Sequence, residues 1–247
     1  MKLPTKTPLF LLATMATCHA AAVLTTSESN FSTNQSVGLA SQTWAGSISS
    51  TDLVQTGAPT FANRSYSATP HSAFGGATSD GVHDGGTGDA NTSNCTFWVV
   101  GNLPMTITFD LNVATNTLGY DITSVDVFQG WTSSSGMQAN QNYTIAVSTV
   151  GSAGYTDLIT VNYNPFGTAN DSHHYTHTQV TENSSGILAS GVDSVRLTFL
   201  TPASSGGSDP GIVINEIDVQ GVATVPEPSS AALLGLAGFG ILLRRKR

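Results

Sequence analysis

The residues of this chain best suited to chemistry lie in its middle. The stretch Asp80-Gly81-Val82-His83-Asp84-Gly85-Gly86-Thr87-Gly88-Asp89 has the make-up of a cation loop. Carboxylates, backbone carbonyls and turn-forming glycines are what Ca²⁺ needs for its roughly six to eight oxygen ligands. The spacing departs from an EF-hand, with Val82 at the third position and Asn91 at the twelfth, and the motif occurs once. A solvated loop is the alternative. His173, His174 and His177 gather near Asp171. A transition metal needs two or three of them on one face, whereas a strand over Tyr175 to Val180 sends His174 and His177 to opposite faces. A polar loop followed by an exposed strand is therefore expected. Arg196 sits among apolar residues and is expected to pair with Glu216 or Asp218, with carbohydrate contact as the alternative. Cys95, close to Phe97 and Trp98, reads as a buried inert thiol. Gly-x-Ser-x-Gly, His-Glu-x-x-His, a phosphate loop and Cys-x-x-Cys are all missing. A carboxylate pair for glycoside hydrolysis is a spatial arrangement that spacing does not reveal.

The elements that must position these residues follow from composition. Of 247 residues only 10% are charged, and Ser and Thr number 62. The charges are segregated. Lys2 and Lys6 stand at one end, and Arg244, Arg245, Lys246 and Arg247 at the other. Between Ala21 and Val225 there are 15 acidic residues against Arg64 and Arg196, a formal charge of −13. No basic patch exists to neutralise phosphates, so nucleic acid is excluded as a partner. No central run of about 20 apolar residues exists, so a polytopic membrane protein is excluded as well.

The two ends obey different physics from the middle. Lys2 and Lys6 followed by the apolar Leu9 to Ala16 read as a secretory signal over residues 1–22, with small-residue cleavage options after Ala20 and Ala22. Its removal takes Cys18 away and leaves Cys95 alone, so the exported domain forms no internal disulfide. At the other end, Val225-Pro226-Glu227-Pro228 precedes an apolar run to Leu243 and then four cations. The prolines block helix before Ser229. A helix from there to Leu243 is about 22 Å long, short for a hydrocarbon core of about 30 Å. The terminal cations favour the cytoplasmic side and leave the acidic middle on the far side.

This arrangement resembles the PEP-CTERM protein-sorting domain of Gram-negative bacteria. The resemblance covers Val225 to Arg247 and rests on Pro226-Glu227-Pro228, the apolar segment and the cluster Arg244, Arg245 and Arg247. It implies a tail read by an exosortase, held transiently in the inner membrane, and a mature protein at the cell surface or beyond it.

The middle, residues 23–224, reads as all-β. From Ala21 to about Asn94 it is polar and weakly patterned, which suggests short strands and long loops. From Thr96 the pattern sharpens. Met105, Ile107, Phe109 and Leu111 alternate with polar residues, as do Tyr143, Ile145 and Val147, and Asp193, Val195, Leu197 and Phe199. Further β-rich runs cover 122–128, 158–163, 175–180 and 212–219. Period-two runs bounded by Gly, Ser, Asn and Pro predict an antiparallel β-sandwich or jelly roll over about 96–221.

The order Ile107-Thr108-Phe109-Asp110-Leu111, Ile122 to Val127, Tyr143 to Ser148, Val192 to Leu197 and Ile214 to Val219 resembles the galactose-binding-domain-like jelly roll of discoidin-type and carbohydrate-binding modules. The resemblance implies a structural Ca²⁺ between an Asp-Gly loop and a glutamate of the last strand, here Asp84 and Glu216. It also implies a non-enzymatic surface or matrix protein that binds exopolysaccharide or another glycan. An exported carbohydrate-active hydrolase is the competing reading. Trp44, Trp98, Trp131, Tyr120 and Tyr155 are the aromatic residues available for stacking, with core packing as their alternative use.

Overall fold

The structure is a computed structural model, and it describes residues 21–30, 49, 51–54, 60–62, 97–100, 103–131, 139–166, 174–201 and 211–225. These residues form ten strands: β1 (Ala22–Asn30), β2 (Thr60–Ala62), β3 (Phe97–Val100), β4 (Met105–Asp110), β5 (Tyr120–Trp131), β6 (Gln141–Thr149), β7 (Thr156–Tyr163), β8 (His174–Glu182), β9 (Ala189–Phe199) and β10 (Gly211–Ala223). All pairings are antiparallel. The pairings define a first sheet, β1-β8-β5-β10-β3, and a second, β2-β4-β9-β6-β7. They join at one corner, where Tyr120 and Ile122 of β5 pair with Val192 and Ala189 of β9. The inner faces meet in a single apolar cluster, with Val125, Val127, Ile217 and Val219 from the first sheet and Ile107, Ile145, Leu197 and Phe199 from the second. The chain is a β-sandwich, as its alternation predicts.

The second sheet shows how sequence becomes layers. Met105, Phe199, Tyr143 and Val161 lie side by side across four strands and point inward, fully buried. The next row, Thr106, Thr198, Thr144 and Thr160, points outward. Ile107, Leu197, Ile145 and Ile159 form the next inward row, because successive side chains of a strand alternate between faces.

Two expectations need correction. The stretch after Ala21 is not limited to short strands, because β1 runs for nine residues and pairs along its whole length with β8, from Ala22–Glu182 to Asn30–His174. Its single strongly apolar inward residue, Leu24, leaves little hydrophobic period to read. In β9, Asp193 does not share the inward phase of Val195. The register slips between Ser148–Ser194 and Thr149–Val192, a bulge that buries Val192 and re-phases the strand.

A polar core crosses between the sheets. Gln141 of β6, fully buried, donates from Nε2 to the Val127 carbonyl at 3.1 Å and to Thr176 Oγ1 at 2.9 Å. Thr178 Oγ1 donates to Gln141 Oε1 at 2.6 Å and also lies 2.6 Å from the Tyr143 hydroxyl. Burial pushes the Tyr143 phenol well above its ordinary value, so it stays neutral.

One pole of the sandwich gathers the start of β1, the end of β10, and the β4–β5, β6–β7 and β8–β9 connections. At the β8–β9 turn the Glu182 carboxylate accepts the Ser184 N–H at 2.8 Å, the Ser185 hydroxyl at 2.8 Å and the Gly186 N–H at 3.0 Å. Hydrogen bonds from Ser184, with those from Ser185, favour the carboxylate and hold its pKa down at about 2. The stability this supplies is full above the usual carboxylate range and is lost as pH falls through about 2. Glu182→Gln should therefore lower the melting midpoint at pH 7, and the gap to wild type should shrink as pH approaches 2. A gap that is the same at pH 7 and pH 2 contradicts this role.

Candidate functional site

Strand β5 is buried on both faces. Val125 and Val127 point into the sandwich, while Ser124, Asp126 and Phe128 point to the outer side of the first sheet. There Asp126 accepts the Ser124 hydroxyl at 3.0 Å and Gln179 Nε2 at 2.9 Å, and its Oδ1 lies 2.8 Å from His177 Nε2. The His177 ring lies flat on Phe128, with centroids 4.3 Å apart and planes 2° from parallel. The expected exposed strand is corrected accordingly. In β8, Tyr175, Thr176, Thr178 and Val180 are buried, and the His177 side chain is only 12% exposed.

Asp218 of β10 stands opposite Asp126 in register. Its Oδ2 accepts the Ser49 N–H at 2.8 Å, and the Leu53 N–H donates to the Val219 carbonyl at 2.9 Å. Ser49 and residues 51–54 thus lie along β10, and Asp52 is buried with Asp126, Glu216 and Asp218. Burial pushes the Asp218 carboxyl up to about 7, and the charges of Asp52 and Asp126 add to the rise, while hydrogen bonds from Ser49 and with Glu216 oppose it. Glu216 is fully buried. The slip between Ile214 and Glu216 in the β10–β5 register lets both Ile214 and Ile217, three residues apart, join the core between the sheets.

Sequence reasoning singled out Glu216 and, as a partner for Arg196, Asp218. It missed Asp52 and Asp126. Asp126 had a readable signal: a run in which Val125, Val127 and Phe128 leave no exposed phase marks a strand covered on both sides. Asp84, Cys95, His173 and Trp44 lie outside the described residues. Among the described residues no group of three His, Cys, Asp or Glu side chains is placed to hold a metal ion.

Arg196 does not pair with Glu216 or Asp218. It stands on the outer face of the second sheet, between Thr108 and Ala146, while both carboxylates belong to the first. Its guanidinium carbon lies 3.3 Å from the centre of the Tyr155 ring, a cation–π contact. The Tyr155 hydroxyl lies 2.8 Å from Ser194 Oγ, which fixes the ring. Beside this pair runs the threonine row. Thr106 and Thr198 bring their hydroxyls to 3.4 Å, and Thr144 and Thr160 to 3.0 Å. The face therefore presents hydroxyls, a guanidinium and one phenol ring. Tyr120 takes no part in it; it is buried at the pole, where Asn116 Nδ2 donates to its hydroxyl at 2.6 Å.

The C-terminal tail supplies the recognisable address. Residues 224–247 match the PEP-CTERM protein-sorting motif, so the chain carries that motif and is an exported protein sorted by way of the membrane. Among the described residues no helix is long and apolar enough to cross a membrane, and the tail beyond Val225 lies outside them. No curated protein matches the chain. Solved structures similar to it include chitosan-binding module 1 from a chitosanase/glucanase of Paenibacillus sp. IK-5, at 16% identity, over 69% of this chain and 99% of that one, with a TM-score of 0.38. Another is CBM32-3 from a family 31 glycoside hydrolase of Clostridium perfringens, at 15% identity, 73% and 99% coverage and a TM-score of 0.42. A third is the family 32 module of C. perfringens NanJ in complex with galactose, at 13% identity, 68% and 97% coverage and a TM-score of 0.38.

Proposed function

We propose that this chain is a non-enzymatic cell-surface or matrix protein that an exosortase-type enzyme processes at its tail, and that its sandwich binds exopolysaccharide or another glycan. The observation that carries the reading is the sorting motif at residues 224–247, directly behind a β-sandwich. Before processing, the tail holds the domain at the outer side of the inner membrane. The glycan-contacting surface is the outer face of the second sheet. Neighbouring strands there, about 4.8 Å apart, set threonines side by side, and Arg196 adds donors beside them. Such groups exchange hydrogen bonds with sugar hydroxyls without needing charge on the ligand. Asp126, Glu216 and Asp218 are buried on the side of the first sheet where Ser49 and residues 51–54, Asp52 among them, lie along β10, which favours a structural role for these carboxylates over general acid–base work.

One structural Ca²⁺ belongs to this proposal, with Glu216 and Asp84 as ligands. The donor chemistry fits on the described side: Glu216 and Asp218 are buried hard oxygen donors, and a divalent cation would offset the repulsion that Asp52 and Asp126 impose on Asp218. An ion that binds only the folded state adds about 2.7 kcal/mol when free ion is about a hundred times Kd.

Both parts are open to test on the purified processed protein. Glycan-array binding is expected, and Arg196→Ala together with Thr198→Val should abolish it without changing the melting midpoint by more than a few degrees. Binding that survives both changes moves the glycan elsewhere, and no binding to any glycan overturns the reading. Excess chelator should lower the midpoint by several degrees, and Glu216→Gln should remove most of that difference. Equal midpoints with calcium and with chelator would exclude the ion.

A further inference from the structure

We infer that the pole from which the tail departs is itself a lipid-docking surface, with Leu118, Val150, Ile187 and Val222 seated in the outer leaflet of the membrane that holds the tail. The inference rests on the anchoring proposed above. The large apolar side chains exposed among the described residues are Leu118 at 45%, Val150 at 43%, Ile187 at 37%, Val222 at 62% and Val225 at 73%. They are far apart in sequence, yet all belong to one end of the sandwich. The Thr224 N–H donates to the Gly119 carbonyl at 2.9 Å, the Val150 N–H to the Gly191 carbonyl at 2.9 Å, and the Leu188 N–H to the Ile122 carbonyl at 2.7 Å. Val222 pairs with Asp121. These bonds tie the residue after Leu118, Val150 itself, the residue after Ile187, and the end of β10 into one rim.

Two acidic side chains of this rim are engaged. Asp121 Oδ1 accepts the Thr224 hydroxyl at 2.7 Å and the Ser190 hydroxyl, and Glu182 is taken up by Ser184, Ser185 and Gly186. Asp110 and Asp157 stand exposed at nearby strand ends, so the attraction is apolar insertion rather than pairing with headgroup charge.

The chain's own geometry selects lipid as the occupant. From Val225 to Ser229, where helix becomes possible, is four residues, a reach of about 14 Å when fully extended. With the apolar segment inserted, the pole cannot stand farther from the helix start than that, about twice the thickness of a headgroup layer. The tether therefore offers the rim to the interface at high effective concentration, and binding at an interface scales with the apolar area it buries. The consequence is a fixed presentation. The rim faces the membrane, Val225-Pro226-Glu227-Pro228 lies at the interface, and the opposite pole points outward.

The test uses the full chain, with Cys18→Ser and Cys95→Ser, in vesicles of phosphatidylethanolamine and phosphatidylglycerol that carry a lipid-borne quencher. A dye is placed in turn at Leu118→Cys, Val150→Cys, Thr144→Cys and Phe239→Cys. Quenching at 118 and 150 should exceed that at 144 severalfold. A dye at Ile187→Cys should lose most of its quenching when Leu118→Ser, Val150→Ser and Val222→Ser are combined. Equal quenching at 118, 150 and 144, with the dye at 239 quenched, overturns docking while leaving anchoring intact. No quenching at 239 overturns the anchoring reading itself. Quenching at 118 that appears only at high protein-to-lipid ratio identifies a second copy as the occupant and also overturns the inference, as does quenching at 187 unchanged by the triple substitution.

Discussion

Gly119→Ala should destabilise the domain by about 3 kcal/mol or more, a drop in melting midpoint of roughly 10 °C for a domain of this size. Gly119 has φ of +80°, in the left-handed region that side chains disfavour. A Cβ there would stand 2.6 Å from the Gly191 carbonyl carbon and 2.7 Å from the Gly191 and Val192 oxygens, all backbone atoms that cannot swing aside. The collision falls at the corner where β5 meets β9 and where Thr224 is held. Gly151 provides the control. Its φ of +81° carries the same conformational strain, but nothing lies within 4 Å of an added Cβ, so Gly151→Ala should cost only about 1 kcal/mol. Chemical denaturation of the three proteins checks this. Equal losses at the two glycines would mean that the close approach at the corner does not exist.

Gln141→Leu should cost about 2–4 kcal/mol, although it places a more apolar side chain in a fully buried position. A purely hydrophobic reading predicts the opposite sign. The Gln141 amide serves the Val127 carbonyl, Thr176 Oγ1 and Thr178 Oγ1. With leucine in its place, those groups stay buried and lose partners that no water can replace. Tyr143→Phe removes a single hydrogen bond to Thr178 and should cost less, about 1 kcal/mol. If Gln141→Leu melts at or above the wild-type midpoint, the polar crossing between the sheets is not a stabilising element.

The fold was legible where a strand has one wet face. The runs at 105–111, 143–147 and 193–199 alternate, and they became β4, β6 and β9. It was legible also in β5, where continuous burial replaces alternation. It was not legible in β1, whose stability comes from pairing with β8 rather than from its own apolar pattern. Bulges hid from sequence too: nothing in Ser194 or Asp193 announces the slip against β6 that turns Asp193 out of phase. The sorting motif was legible, because Pro226-Glu227-Pro228, an apolar segment and terminal arginines are local features that need no tertiary partner. The site was half legible. Glu216 stands out as an acid in an apolar strand with Asp218 two residues on, but Asp52 and Asp126 lie up to 166 residues from Asp218 in sequence, and only the β5–β10 register and the bonds of Ser49 and Leu53 to β10 bring them together. The same limit misassigned Arg196. Its nearest carboxylates in the strand pattern belong to the other sheet, and the partner it found was the ring of Tyr155.

The central claim is that residues 225–247 sort an exported domain. It is tested most directly by fractionating cells that contain an exosortase and make either the wild-type chain or the chain with Pro226→Ala, Glu227→Ala and Pro228→Ala. The wild-type protein should be recovered from the surface or the medium, shortened at its C-terminus, with no mature domain in the cytoplasm. The substituted chain should stay in the inner membrane at greater length, with its domain accessible only from the outer side. Release of both proteins at the same length, or a wild-type domain retained in the cytoplasm, would contradict the account.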